Sequence, residues 1–154
     1  MKKILTLLVL TLVVATGCKS QDTSAQAKKL AQSEVKYEYR AHTRGSKIDI
    51  VISNFGISAS KGRPGEAAAE AFKAIPAKEQ DILIKETAKI NLDGLETLEA
   101  PTKKHQFDGA LAATFKITVD GKEYQTVTFD HGNPPAEIKP LVEKIIALSG
   151  LEKE

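Results

Sequence analysis

The chain predicts an α+β domain: a four-stranded antiparallel sheet built from two hairpins, with two helices packed on one face, in the order ββαββα. Three patterns carry this. Apolar residues alternate along 35–41 (Val35, Tyr37, Tyr39, Ala41) and along 47–53 (Ile48, Ile50, Ile52), the period of half-buried strands. Asp120-Gly121 lies between two more strand-like runs, 110–119 and 122–129, as a hairpin turn does. Ile138, Leu141, Val142, Ile145, Ile146 and Leu148 recur at helical spacing, the stripe of a core-facing helix.

Taken in order, residues 19–34 are polar and small and read as a flexible tether, although 25–33 has a thin helical pattern. A turn at Arg44-Gly45 closes the first hairpin and places Tyr39 opposite Ile50 and Tyr37 opposite Ile52, so the apolar faces coincide. Residues 54–65 carry Gly56, Gly62, Pro64 and Gly65 among serines and read as a mobile surface loop. The order Lys61-Gly62-Arg63 does not fit a phosphate-binding loop, which needs Gly-Lys-Ser/Thr after its spacers.

Residues 66–74 are rich in helix formers. Ile75-Pro76 interrupts them, and Pro76 suits the first turn of a new helix over 77–90. Within it 81–85 also alternates like a strand. Residues 91–104 are irregular, with Leu92, Leu95 and Leu98 as core plugs.

The second hairpin poses a phase problem. A two-residue loop puts Val127 and Phe129 opposite Thr114 and Ala112 and splits the apolar face. A three-residue loop, Val119-Asp120-Gly121, keeps Phe115, Ile117, Val127 and Phe129 together and turns Tyr124 to the other face, so it is the expected loop. Pro140 belongs in the first turn of the last helix, and Gly150 stops it.

The N-terminus predicts location. Met1-Lys2-Lys3 precedes an apolar run over 4–14. Eleven residues are too few to span a bilayer, which takes roughly 20, and the pattern is that of a secretory signal peptide. The run ends at Ala15-Thr16-Gly17-Cys18, and Cys18 is the only cysteine. Small residues before a lone cysteine resemble the lipobox of bacterial lipoproteins, with Ala15 where that family usually has Leu. The resemblance implies lipidation of Cys18 and cleavage before it. The expected organisation is a signal peptide over 1–17, the lipidated Cys18 and tether over 18–34, and one domain over 35–150. The expected place is the cell envelope, anchored by lipid to the outer membrane.

Losing Lys2 and Lys3 with the leader takes the 22 basic residues to 20, equal to the 20 acidic ones. A neutral chain lacks the basic face nucleic acid requires, so no nucleic-acid partner is expected. A single cysteine permits no intrachain disulfide.

Few residues suggest chemistry. His42, His105 and His131 show no zinc-ligand spacing, so no metal or cofactor is expected. His42 and His105 read as solvated. Asp130-His131 has the makings of a base and its orienter, but before Pro134-Pro135 it reads better as a turn, with Asp130 and Asn133 capping the last helix and His131 facing water. No Gly-x-Ser-x-Gly elbow occurs. No catalytic residue is therefore assigned and no enzyme activity expected. The candidate contact residues are Asn54, Phe55, Gly56, Ile57 and Ser58 in the loop, and Asp130 and His131 in the turn.

From 108 to about 148 the chain also resembles the emfourin family, small protein inhibitors of thermolysin-like metalloproteases. The shared features are Asp108-Gly109, a strand, Asp120-Gly121, a strand, Phe129-Asp130, and a proline followed by a helix containing Pro140-Leu141. Asn54-Phe55-Gly56 does not match that family's early Arg-x-Gly-Gly-Phe. The whole chain resembles small lipoproteins of Gram-negative bacteria. Together these imply an anchored module that binds an envelope or secreted protein, with a metalloprotease as one such partner. The alternative is a structural or accessory envelope lipoprotein without inhibitory activity.

Overall fold

A computed structural model describes residues 19–66, 71–107 and 109–151. Cys18 and the expected signal peptide over 1–17 lie outside them. Among the described residues the fold is α+β, with three α-helices and an antiparallel sheet of six strands rather than four. The helices are α1 (Lys19–Ala31), α2 (Ala77–Thr87) and α3 (Lys139–Ser149). The strands are β1 (Val35–His42), β2 (Lys47–Ser53), β3 (Gly56–Gly62), β4 (Ala112–Val119), β5 (Lys122–Gln125) and β6 (Phe129–Asp130). They lie in the order β3-β2-β1-β4-β5, with β6 also on β4. The element order is therefore αβββαβββα, not ββαββα.

The first hairpin forms in the expected register, Tyr39 against Ile50 and Tyr37 against Ile52. One face of the sheet carries Tyr37, Tyr39, Ile50, Ile52, Phe115 and Ile117, which form the core with Leu83 of α2 and Leu141, Val142, Ile145 and Ile146 of α3. The Tyr37 and Phe115 rings stack, 6.5 Å between centroids and 3° apart in plane. The buried aliphatics of α3 contribute about 1.5–3 kcal/mol each, which holds the helix on the sheet. Pro140 falls in its first turn, and Gly150 ends it at φ 70°.

Three expectations need correction. The segment expected to be a tether is mostly the helix α1, held by Leu30, which is 5% exposed. The expected loop over 54–65 is mostly β3, paired with β2 from Ser53↔Gly56 to Lys47↔Gly62. Residues 71–74, expected to be helical, run extended: the Ile57 and Lys73 amides each donate to the other's carbonyl at 2.8 Å. Residues 67–70 of that expected helix lie outside the described residues.

The second hairpin turns on Asp120-Gly121 alone, with Val119 paired to Lys122. Positive φ at both residues, 48° and 83°, is the two-residue turn that matches strand twist. Tyr124 therefore pairs with Ile117 on the core side, not with the outer face. The phase problem is solved by a bulge. Lys116 pairs with Gln125 but Ala113 with Phe129, so one extra residue is absorbed over 126–128. Thr126 turns inward, accepting the Phe115 amide with Oγ1 at 3.1 Å and donating its own amide to Phe115 at 2.9 Å. Phe129 regains the core face and is fully buried, whereas Val127 is expelled to 38% exposure.

Two glycines share positive φ and differ in crowding. Gly56 has φ 117°, and an added Cβ would collide with the Lys73 carbonyl. Gly121 has φ 83° with open space around it. Gly56→Ala should cost about 2–6 kcal/mol, overpacking adding to the strain of a side chain at positive φ, and speed amide exchange at Lys73. Gly121→Val should cost about 1–2 kcal/mol from backbone strain alone, with Lys73 exchange unchanged. Urea midpoints and hydrogen exchange on the two variants check both.

Candidate functional site

The β2–β3 hairpin presents its turn residues, Asn54 and Phe55, to solvent. Phe55 is 75% exposed. Its partner is Phe72, 43% exposed, with ring centroids 6.3 Å apart. Strand pairing on one side and the Ile57–Lys73 bridge on the other fix the tip. Of the expected contact residues, only Asn54 and Phe55 face outward. Gly56, Ile57 and Ser58 are buried within β3.

The other expected pair, Asp130 and His131, does not act together. Asp130 is 2% exposed and serves the strap over 98–107. Its carboxylate accepts the Thr102 hydroxyl, the Lys104 amide at 2.9 Å, the His105 amide at 2.8 Å and His105 Nδ1 at 2.5 Å. It thus caps the short 3-10 turn Lys104–Phe107, not α3 as expected. Asn133 does not cap α3 either; its side-chain amide donates to Thr102 Oγ1 at 2.9 Å. Burial works to raise the Asp130 pKa, but the Thr102, His105 and Lys104 donors outweigh it and hold the carboxyl well below the usual range.

His131 is half-buried rather than facing water. Its Nδ1 lies 2.6 Å from the Tyr39 hydroxyl, and that hydroxyl also accepts the Gly132 amide. The phenol and Nδ1 share one hydrogen bond, and the tautomer of the ring sets which of them donates. At His105 the ionised carboxylate only accepts, so Nδ1 donates to Asp130, and in the neutral form of the ring Nε2 is then the bare, accepting nitrogen. His105, expected in solvent, has a side chain only 10% exposed.

Burial pushes the Tyr39 hydroxyl pKa up, with the Gly132 amide offsetting part of the rise. Burial likewise pushes Tyr37 up to about 12 against its bond to Thr87. The Thr87 hydroxyl donates to the Leu83 carbonyl at 2.8 Å, so Tyr37 donates to Thr87 at 2.9 Å.

His105 lines a cleft of about 430 Å³ between the strap and the bulge. Sequence reasoning missed it because the cleft joins segments about twenty residues apart, and the bulge that forms one wall has no residue signature. Among the described residues no three His, Cys, Asp or Glu side chains gather to hold a metal, and no helix is long and apolar enough to cross a membrane. No protein-family model matches the chain, and no curated protein or solved structure matches it.

The site yields two expectations. The Asp130 pKa is lower folded than unfolded, so its stabilisation is complete above the unfolded value near 3.9 and is lost as pH falls below it. Asp130→Ala should cost about 3–5 kcal/mol at pH 7 by stranding its donors, and the deficit should shrink in urea titrations repeated toward pH 2. His131→Ala should cost about 1–3 kcal/mol, because the buried Tyr39 hydroxyl loses its side-chain hydrogen-bond partner. A urea midpoint equal to the parent's would mean that water replaces the ring.

Proposed function

We propose that the protein is a lipid-anchored, non-enzymatic protein-binding module of the cell envelope, and that the β2–β3 tip is its contact element. The observation that carries this reading is the fixed exposure of Phe55. Aromatic side chains dominate binding energy at interfaces because they bury much surface at little entropic cost. Here one is held out by a paired hairpin and braced by Phe72, so little ordering remains to oppose binding. The sequence likeness to metalloprotease inhibitors favours a secreted metalloprotease as the partner. Attachment through Cys18 follows from the lipobox pattern, and a neutral mature chain adds no polybasic attraction to the membrane.

Phe55→Ser tests the contact. Exposed as it is, Phe55 should change stability by no more than about 1 kcal/mol. Captured from an envelope extract and identified by mass spectrometry, the partner of the parent chain should be absent from the variant. Equal capture by a folded Phe55→Ser protein sinks the tip reading. Location is tested separately: Cys18→Ser should leave the membrane fraction or stay uncut, and a processed variant that still pellets with membranes refutes the anchor.

A further inference from the structure

The cleft beside His105 lies at the other end of β1 from the hairpin tip and is independent of it. Its lining is mixed. Leu98, Ala100 and Val127 supply apolar surface, and Lys103, Gln106 and Thr128 supply polar groups. Its volume of about 430 Å³ falls in the range of small-ligand sites, roughly 300–1,000 Å³.

Three features meet here. Asp130 clamps the His105 ring by Nδ1, which fixes the plane and tautomer of an imidazole whose Nε2 has no partner among the described residues. A buried carboxylate that orients a histidine in this way also makes its other nitrogen a stronger acceptor. The bulge puts Val127, an exposed large apolar residue, on the wall opposite. Bulges commonly re-aim side chains in this manner next to binding sites. Lys103 brings a cation two residues from His105.

We infer that this cleft is a binding site for a small apolar carboxylic acid bearing an N–H donor, the chemistry of an N-acyl amino acid. The donor goes to His105 Nε2, the carboxylate to Lys103 and the apolar body against Leu98 and Val127. Glu99 lines the same cleft and opposes the carboxylate, so Lys103 is the group that selects for the anion.

The test is an NMR titration of the full chain with N-acetyl-leucine and, separately, with N-acetyl-leucinamide. The acid should shift resonances of 97–106 and 126–128 and bind at least about fivefold more tightly than the amide. His105→Asn keeps a side-chain amide to donate to Asp130 and removes Nε2. It should hold its unfolding midpoint and bind the acid about tenfold more weakly, a loss near 1.4 kcal/mol. Lys103→Gln, a surface change that leaves the fold alone, should remove the preference for acid over amide. Glu99→Gln should tighten the acid. Absence of shifts in the cleft overturns the site, as does His105→Asn binding equal to the parent's. Should His105→Asn unfold, Lys103→Gln decides alone: a preference for the acid that survives it refutes the proposal.

Discussion

One buried carboxylate holds the second half of the domain together. Asp130 sits on β6, a strand of only two residues that pairs with β4. Two ladder pairs cannot hold a chain end on a sheet. The carboxylate adds four bonds to the strap, two from backbone amides that have no helical partner of their own. Desolvating a charge this far is favourable only when its lone pairs are filled, so strap and strand each depend on the other. Asn133 on the following turn reaches Thr102, which extends the tie to the segment that leads into α3.

The bulge over 126–128 follows from two requirements that conflict. Asp120-Gly121 demands a two-residue turn, because both residues take positive φ where glycine, aspartate and asparagine are favoured. Burial of Phe129 demands the opposite phase four residues after Gln125. A single extra residue satisfies both, and Thr126 repairs the ladder by using its hydroxyl in place of a backbone acceptor. The resulting exposure of Val127 is a consequence of keeping Phe129 buried, and it forms one wall of the cleft.

Where one residue's neighbours in sequence were also its neighbours in space, the sequence was a good guide. Tyr37 and Tyr39 met Ile52 and Ile50 as their alternation required, Pro140 and Gly150 bounded α3, and Leu95 plugged the core. Parity also revealed that an extra residue was needed in the second hairpin. It did not say where, since a residue in the turn and a residue in the strand change the phase equally. β3 was hidden because only Ile57 and Ala59 carry its inward face, too little alternation to outweigh its glycines and serines. The partners of the histidines were beyond reach. His105 meets Asp130 across twenty-five residues and His131 meets Tyr39 across ninety-two, and no local pattern records such contacts. The exposure of Phe55 was foreseen only as a loop property; its rigidity comes from the strand pairing that the glycines concealed.

β1 sets the distance between the two places where this surface departs from ordinary packing. Ile52 pairs with Tyr37, so the Asn54-Phe55 turn lies beyond the Val35 end of β1. Ala112 pairs with both His42 and Asp130, so the strap and its cleft lie at the His42 end. Seven residue steps at about 3.3 Å separate them by roughly 23 Å, well past the range at which substitutions couple through shared neighbours. The two ends also differ in what they present. The tip is aromatic and braced by Phe72, which suits the proposed insertion into a partner. The cleft is mixed in lining, with one oriented imidazole, which suits the proposed small ligand. The core between them is stacked aromatics and branched aliphatics, and the charge cluster on the outer face of β1 joins Glu38 to Lys36, Arg40 and Lys116, none of which lies at the tip or lines the cleft, so neither layer ties one end directly to the other.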